Sequence, residues 1–329
     1  MIYWALGPHW VSTAVQLQGV LGAGPHALGS DPLGDGARAF SVRNTTIQIP
    51  ITGLGDRWCL HMGARYEGTF NFSGVDPGFG VGPQAQSVNL RETSARWRVY
   101  RQNATVHDRP SSELRTNYHW ALDVYEHASE GWWRLYRNGS EVASEENVNT
   151  SSSASERFLQ IPLTSKSGAN IFYSHIVLAD EFLGELVRVK PWIPSSDLGP
   201  NDMIRSDTSL SHHAHLSSIP TLGDSRYLET DEFEQATRHG GDIDLDGLQV
   251  LSFTPSVLAR VDGAGASQLE VDLDDGVSST GNALLAELNL SFYRYFLGTL
   301  HNENPLTSSP WTNADLDSLA MKIEQTSQE

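Results

Sequence analysis

"FYSHIVLADEFLGELVRVKPW", Phe172–Trp192, is the stretch from which the fold class is read. With Ile171 before it, the run to Leu178 is continuously apolar apart from Ser174 and His175, the pattern of a strand buried on both sides. "ADEFLGE" makes an acidic, glycine-containing corner, and "LVRV" alternates apolar and basic residues as an edge strand returning along the sheet. Pro191 has no N–H to give to a ladder, so it ends the pairing. A chain that turns its most apolar strand back along the sheet edge and then stops is closing a β-domain, here residues 1–192. "PWIPSSDLGPND" follows with three prolines, and residues 193–205 read as a linker.

Upstream of the corner, short alternating segments recur without intervening helices. "TIQIPI" alternates, and "RWCLHM" places Trp58, Leu60 and Met62 on one face. "ARWRVY" sets Trp97 and Val99 against Arg96 and Arg98, and "HWALDVYE" sends Trp120, Leu122 and Val124 inward. In "GWWRLYRNGSEV", Trp133 and Leu135 alternate with Arg134, and Asn138-Gly139 supplies the positive φ angles of a type I′ turn. Strands at this spacing predict a sandwich or barrel. Of the nine tryptophans, Trp58, Trp97, Trp120 and Trp133 fall on core faces, whereas the alternation leaves Trp4, Trp10, Trp132 and Trp192 unassigned.

Beyond the linker, residues 206–329 read as a second β-domain. "LQVLSFTPSVLARVDG", "QLEVDLDDG" and "NLSFYRYFLGTL" have strand character. A closing helix is predicted over 312–325, with Thr312 as N-cap, Asp315 at the third helical position, and Leu316, Leu319 and Ile323 on one face.

The chain has 329 residues, a length that suits two domains. Its 40 acidic against 22 basic residues give −18, and no Lys/Arg cluster is present, which excludes the usual grip on a nucleic-acid backbone. One cysteine, Cys59, excludes an intrachain disulfide. The first 30 residues carry no formal charge, but they lack the basic start of a signal peptide, and Gln16, Gln18 and two prolines break any membrane span. Within them "VSTAVQLQG" alternates as a strand, covered by its own domain or serving as a contact arm between subunits.

Residues 1–192 resemble the concanavalin A-like jelly roll shared by legume-type lectins, laminin G modules and many glucanases. A second likeness spans about 172–325. Its elements are "SHIVLADE", the Pro-rich linker, "VLARVDG", Asn304-Pro305, Pro310-Trp311-Thr312 and the Asp315–Ile323 segment. In order and spacing these resemble structural proteins of tailed bacteriophages and gene-transfer particles. That resemblance implies a non-enzymatic virion component, exposed on the particle and assembled in the host cytoplasm. It would form a homo-oligomer and contact capsid, collar or tail proteins. The alternative is a glycan-binding module that recognises a host surface polysaccharide. No cofactor, nucleic-acid or membrane partner is expected.

Three motifs invite a sharper chemistry. Glu229, Asp231 and Glu234 have the E-x-D-x-x-E spacing of laminarinase-type glycosidases, yet Thr230 and Glu232 are polar where a catalytic strand wants apolar residues, so an acidic loop is expected. Asp242, Asp244, Asp246 and Gly247 open like a calcium loop, but the twelfth position is Phe253 instead of a bidentate Glu. His212, His213 and His215 would put two ligands on one face of a strand, with no adjacent carboxylate or thiolate to complete a tetrahedral site. None of the three is assigned as a catalytic, metal or ligand-binding site.

Overall fold

Two-residue alternation governs the first unit. The computed structural model describes residues 1–6, 25–30, 38–42, 47–68, 79–82, 88–93, 96–110, 117–152, 157–161, 165–166, 169–184, 187–217, 226–230, 232, 234–243, 245, 247–261, 267–288 and 294–326. The N-terminal "VSTAVQLQG" lies outside them. Two units divide at Val189/Lys190.

The first unit carries β1 (Ile2–Leu6), β2 (Pro25–Ser30), β3 (Arg38–Val42), β4 (Ile47–Pro50), β5 (Arg57–Gly68), β6 (Phe79–Val81), β7 (Val88–Thr93) and β8 (Arg96–Arg101). It continues with β9 (Ala104–Pro110), β10 (Asn117–Tyr125), β11 (Gly131–Arg137), β12 (Ser140–Val148), β13 (Phe158–Ile161), β14 (Ser165–Lys166) and β15 (Ala169–Ala179). Among the described residues these form a nine-stranded sheet ordered β12-β11-β10-β5-β15-β3-β2, with β1 and β14 also on β15. A six-stranded sheet is ordered β4-β13-β6-β7-β8-β9. All their pairings are antiparallel, and the sheets pack as a jelly-roll-type sandwich.

The core is the set that alternation predicts. Trp58, Leu60 and Met62 of β5, Trp120, Leu122 and Val124 of β10, and Trp133 and Leu135 of β11 face Phe79, Val81, Leu90, Trp97, Val99 and Leu159 of the other sheet. Trp97 meets Trp120 at 5.3 Å between ring centroids, and Phe79 stands edge-on to Tyr173 at 4.3 Å. Burying each such side chain stabilises by about 1.5–3 kcal/mol. The β11–β12 turn has Asn138 at φ 49° and Gly139 at φ 80°, as Asn-Gly requires.

β15 holds the apolar run that ends at Leu178. Its register with β5 slips between Ser174, opposite Gly63, and Val177, opposite His61. His175 and Ile176 thus oppose one residue, Met62. This is a bulge, with His175 at φ 48°. Ile176 enters the core, while the His175 ring meets the Val189 N–H. Val187–Val189, the described part of the expected edge strand "LVRV", is not a strand, and the Phe182, Leu183 and Val189 contacts lay this segment on the outer face of the sheet.

The second unit carries β16 (Ile193–Asn201), β17 (Ile204–Arg205), α1 (His212–Leu216), β18 (Leu228–Glu229), β19 (Ala236–Asp242), β20 (Ser256–Ala259), β21 (Ser267–Asp274) and β22 (Leu284–Leu288). Then come β23 (Arg294–Leu297), β24 (Glu303–Asn304), β25 (Ser309–Pro310), α2 (Asn313–Ser318) and β26 (Ala320–Thr326). A five-stranded sheet runs β16-β19-β26-β21-β22. Two segments differ from expectation. The Pro-rich Ile193–Asn201 is edge strand β16, paired irregularly with β19, an arrangement that tolerates proline.

The closing helix stops at Ser318, because Leu319 turns extended and Ala320–Thr326 enters the sheet between β19 and β21. Two flanking ladders outweigh a helical period. Leu316 and Leu319 join the cluster around Trp311, whereas Ile323 packs with Val271 and Leu284. Asn304 and Pro310 lie in the β24–β25 ladder, and Trp311 is buried with Nε1 donating to the His301 carbonyl.

Candidate functional site

The residues of the nine-stranded sheet that alternate away from the core make up its outer face, and the register sets them in rows. One row is Arg57–Tyr125–Trp132. The next is Ala179–Cys59–Asp123–Arg134, and a third is Val177–His61–Ala121–Tyr136.

The first two rows are open to solvent at their β11 end. Trp132 is half-buried, with the Arg57 guanidinium 5.4 Å and that of Arg134 4.8 Å from its ring, and Tyr125 at 6.2 Å. Arg57 donates to both oxygens of Asp123, at 3.4 and 3.1 Å. Burial raises the Asp123 carboxyl, and the guanidinium pulls against that shift. The pair joins an exposed cation to a buried anion. Arg134 bonds Glu146 at 3.1 Å across the hairpin, an exposed contact worth at most about 1 kcal/mol. Both guanidiniums are held by their carboxylates beside an accessible indole.

The third row is closed. Phe182, from the segment after β15, stacks on Tyr136 at 3.9 Å and 11°, and on His61 at 5.5 Å and 14°. His61 in turn stacks on His119 at 5.5 Å. The Leu183 N–H donates to His61 Nε2 at 3.3 Å, and the Val189 N–H to His175 Nδ1 at 2.9 Å. Nε2 of His61 is therefore the bare nitrogen, and its proton sits on Nδ1, which is buried without a partner; Nε2 of His119 is likewise buried and unpartnered. Burial, reinforced by the neighbouring imidazole, lowers His61 to about 3 and His119 to about 4. Cys59, 3.4 Å from His61 Nε2, is held a thiol by burial.

No protein-family model matches the sequence, and comparison with curated proteins returns none. Solved structures similar to it include the endo-β-1,4-glucuronan lyase of the fungus Trichoderma reesei (12% identity, 48% of this chain, 88% of that one, TM-score 0.34). They also include the sialidase of Trypanosoma rangeli (17%, 45%, 26%, 0.33) and the alginate lyase Aly36B (16%, 49%, 79%, 0.29). These are enzymes, not virion proteins. The expectations that the chain is a structural component of a phage particle and that it is not an enzyme are not borne out by these comparisons. At these identities and TM-scores the likeness carries no activity, substrate or ligand over to this chain.

The motifs singled out in the sequence lie in the second unit and do not converge. Glu229 is exposed in β18 and Glu234 is exposed at φ 65°, with Thr230 Oγ1 closing the turn between them; Asp231 lies outside the described residues. Asp242 is exposed and accepts the Ile243 N–H, while Asp244 and Asp246 lie outside the described residues. The histidines form helix α1, not a strand, so His213 and His215 do not share a face. His212 Nε2 bonds the Met203 carbonyl, His213 Nδ1 bonds Asp197, and His215 bonds the Ser211 carbonyl and the Asp207 N–H. Among the described residues no three His, Cys, Asp or Glu side chains are placed to share a metal ion.

The outer face of β5, β10, β11 and β15 went unread, although its signal was there. "RWCLHM", "HWALDVYE" and "GWWRLYR" each put polar or aromatic residues at the alternate positions. Those positions serve only as contrast when alternation is used to find the core.

Proposed function

We propose that the chain is a glycan-binding protein whose first unit holds a surface polysaccharide against the outer face of the nine-stranded sheet. The observation that carries this reading is Trp132, turned away from the core, solvent-accessible, and set among Arg57, Arg134 and Tyr125. A sugar ring offers an apolar C–H face and a rim of hydroxyls. An indole covers the first, and anchored guanidinium and carboxylate groups hydrogen-bond the second with charge-assisted strength. Arg57 and Arg134 are pre-positioned by Asp123 and Glu146, so little side-chain entropy remains to be lost on binding.

The test is titration of the full chain with soluble β-glucan, glucuronan, alginate and sialylated oligosaccharides, alongside Trp132→Ala. We expect at least one to bind and the substitution to weaken it tenfold or more. Binding that is indifferent to Trp132, or no binding in the panel, overturns the reading.

A further inference from the structure

We infer that Phe182 fills a second sugar subsite, walled by Tyr136 and His61 on the sheet face that carries Trp132. The inference rests on the glycan-binding reading and extends it beneath the segment that follows β15.

Tyr136 is two residues beyond Arg134 and four beyond Trp132 on β11, so the slot lies on the same outer face. Four rings follow one another on this face, Tyr136, Phe182, His61 and His119, so Phe182 lies between Tyr136 and His61, with His119 beyond His61. Three of them are fixed in the sheet. Phe182 alone comes from outside it, held by its two stacking contacts and by the neighbouring Leu183 N–H on His61. It is half-buried, not sealed in, and Gly184 turns the chain directly behind it at φ 107°, a conformation that glycine reaches freely.

The phenyl ring also suits its surroundings incompletely. Among the described residues His61 Nδ1 is buried with no partner, and the phenyl ring stacked on this imidazole offers it none. Buried polar atoms are normally satisfied, and those that are not call for a ligand or a functional role. A sugar in the slot would stack on Tyr136 as Phe182 does, and its hydroxyls would offer hydrogen-bond partners to the His61 imidazole. Phe182 is then an internal competitor. Removing it should tighten binding, whereas removing a true contact should weaken it.

The test uses the full chain and the oligosaccharides of the same panel. We expect Phe182→Ala to raise affinity at least threefold and Tyr136→Ala in that background to cancel the gain. Phe182→Leu, which keeps apolar bulk without a flat ring, should fall between. An independent readout is acylation of His61 by diethyl pyrocarbonate, located by mass spectrometry. It should be protected in the wild type, reactive in Phe182→Ala, and protected again when oligosaccharide is added. If Trp132→Ala still abolishes binding while Phe182→Ala leaves affinity unchanged and ligand leaves acylation unchanged, the subsite is overturned and the Trp132 face stands. If Trp132→Ala has no effect, the broader reading fails with it.

Discussion

His61 Nε2 accepts the Leu183 N–H at 3.3 Å, although the two residues are 122 positions apart in the chain. An imidazole that accepts at one nitrogen is unprotonated there, and His175 accepts from Val189 in the same way. The contacts that lay the segment after β15 on the sheet therefore require neutral histidines.

Acid should destabilise the fold before it reaches the carboxylates. His61 and His119 titrate at about 3 and about 4 in the folded chain, against 6.5 when exposed, chiefly because of burial. Between those limits the unfolded state binds protons that the native state refuses. Stability is therefore fully present above pH 6.5 and falls as pH drops, by roughly 2 kcal/mol per histidine between pH 6.5 and 5. Urea unfolding at pH 7 and pH 5 should show the loss, and a His61→Leu/His119→Leu variant should show a much flatter profile. Equal slopes in the two proteins would refute the assignment.

Glu126 should be a stability determinant of the first unit. Its Oε1 accepts from Trp58 Nε1 at 2.7 Å and from Arg157 at 2.6 Å, while Oε2 accepts the Ser152 N–H at 3.2 Å. Glu126→Ala strands the Trp58 N–H in the core and should cost about 2–4 kcal/mol. Glu126→Gln, which keeps an acceptor for the indole, should cost less. Denaturant midpoints of the two variants check the order.

What could be read in the sequence followed how local each signal was. The β11–β12 hairpin was legible because Asn138-Gly139 and the Trp133/Leu135 alternation lie within a dozen residues. The bulge at His175–Ile176 was not, because it exists only relative to Met62 on another strand. The closing helix was over-read for a related reason. Leu316, Leu319 and Ile323 fit a helical face, but Ala320–Thr326 is drawn into the sheet by β19 and β21, remote segments whose ladders no local period records. The candidate site was hidden differently. Its residues are the outward half of strands whose inward half was read correctly.

Asp197 shows the same remoteness and gives the next test. The histidine cluster has no adjacent carboxylate, yet β16 brings Asp197 to it. Asp197 accepts the backbone N–H groups of His212 and His213 at 3.0 and 2.7 Å and bonds His213 Nδ1 and His239 Nδ1. Ser211 makes no side-chain cap, so Asp197 caps helix α1 from another element. Asp197→Ala should cost about 1–2 kcal/mol. It should also speed amide exchange at residues 212–213 more than at residues of β21. Uniform acceleration would instead point to a global effect.

The C-terminal segment is where a short change should have the largest consequence. Thr312 Oγ1 accepts the Asp315 N–H, and Asp315 Oδ2 accepts the Thr312 N–H at 2.6 Å, a reciprocal cap on a helix of only six residues. Thr312→Ala should cost about 1 kcal/mol, the usual value of such a cap. Deleting residues 312–329 is different in kind. It removes β26, the central strand of the five-stranded sheet, and with it Leu316, Leu319 and Ile323 from two hydrophobic clusters. β19 and β21 would each face a missing neighbour with a full row of unpaired backbone groups. The truncated chain should therefore lose protease resistance throughout residues 190–311, while Thr312→Ala keeps it with a modestly lower melting temperature. Limited proteolysis followed by mass spectrometry separates the two outcomes, and protection of residues 190–311 in the truncated chain would show that β26 does not hold this sheet together.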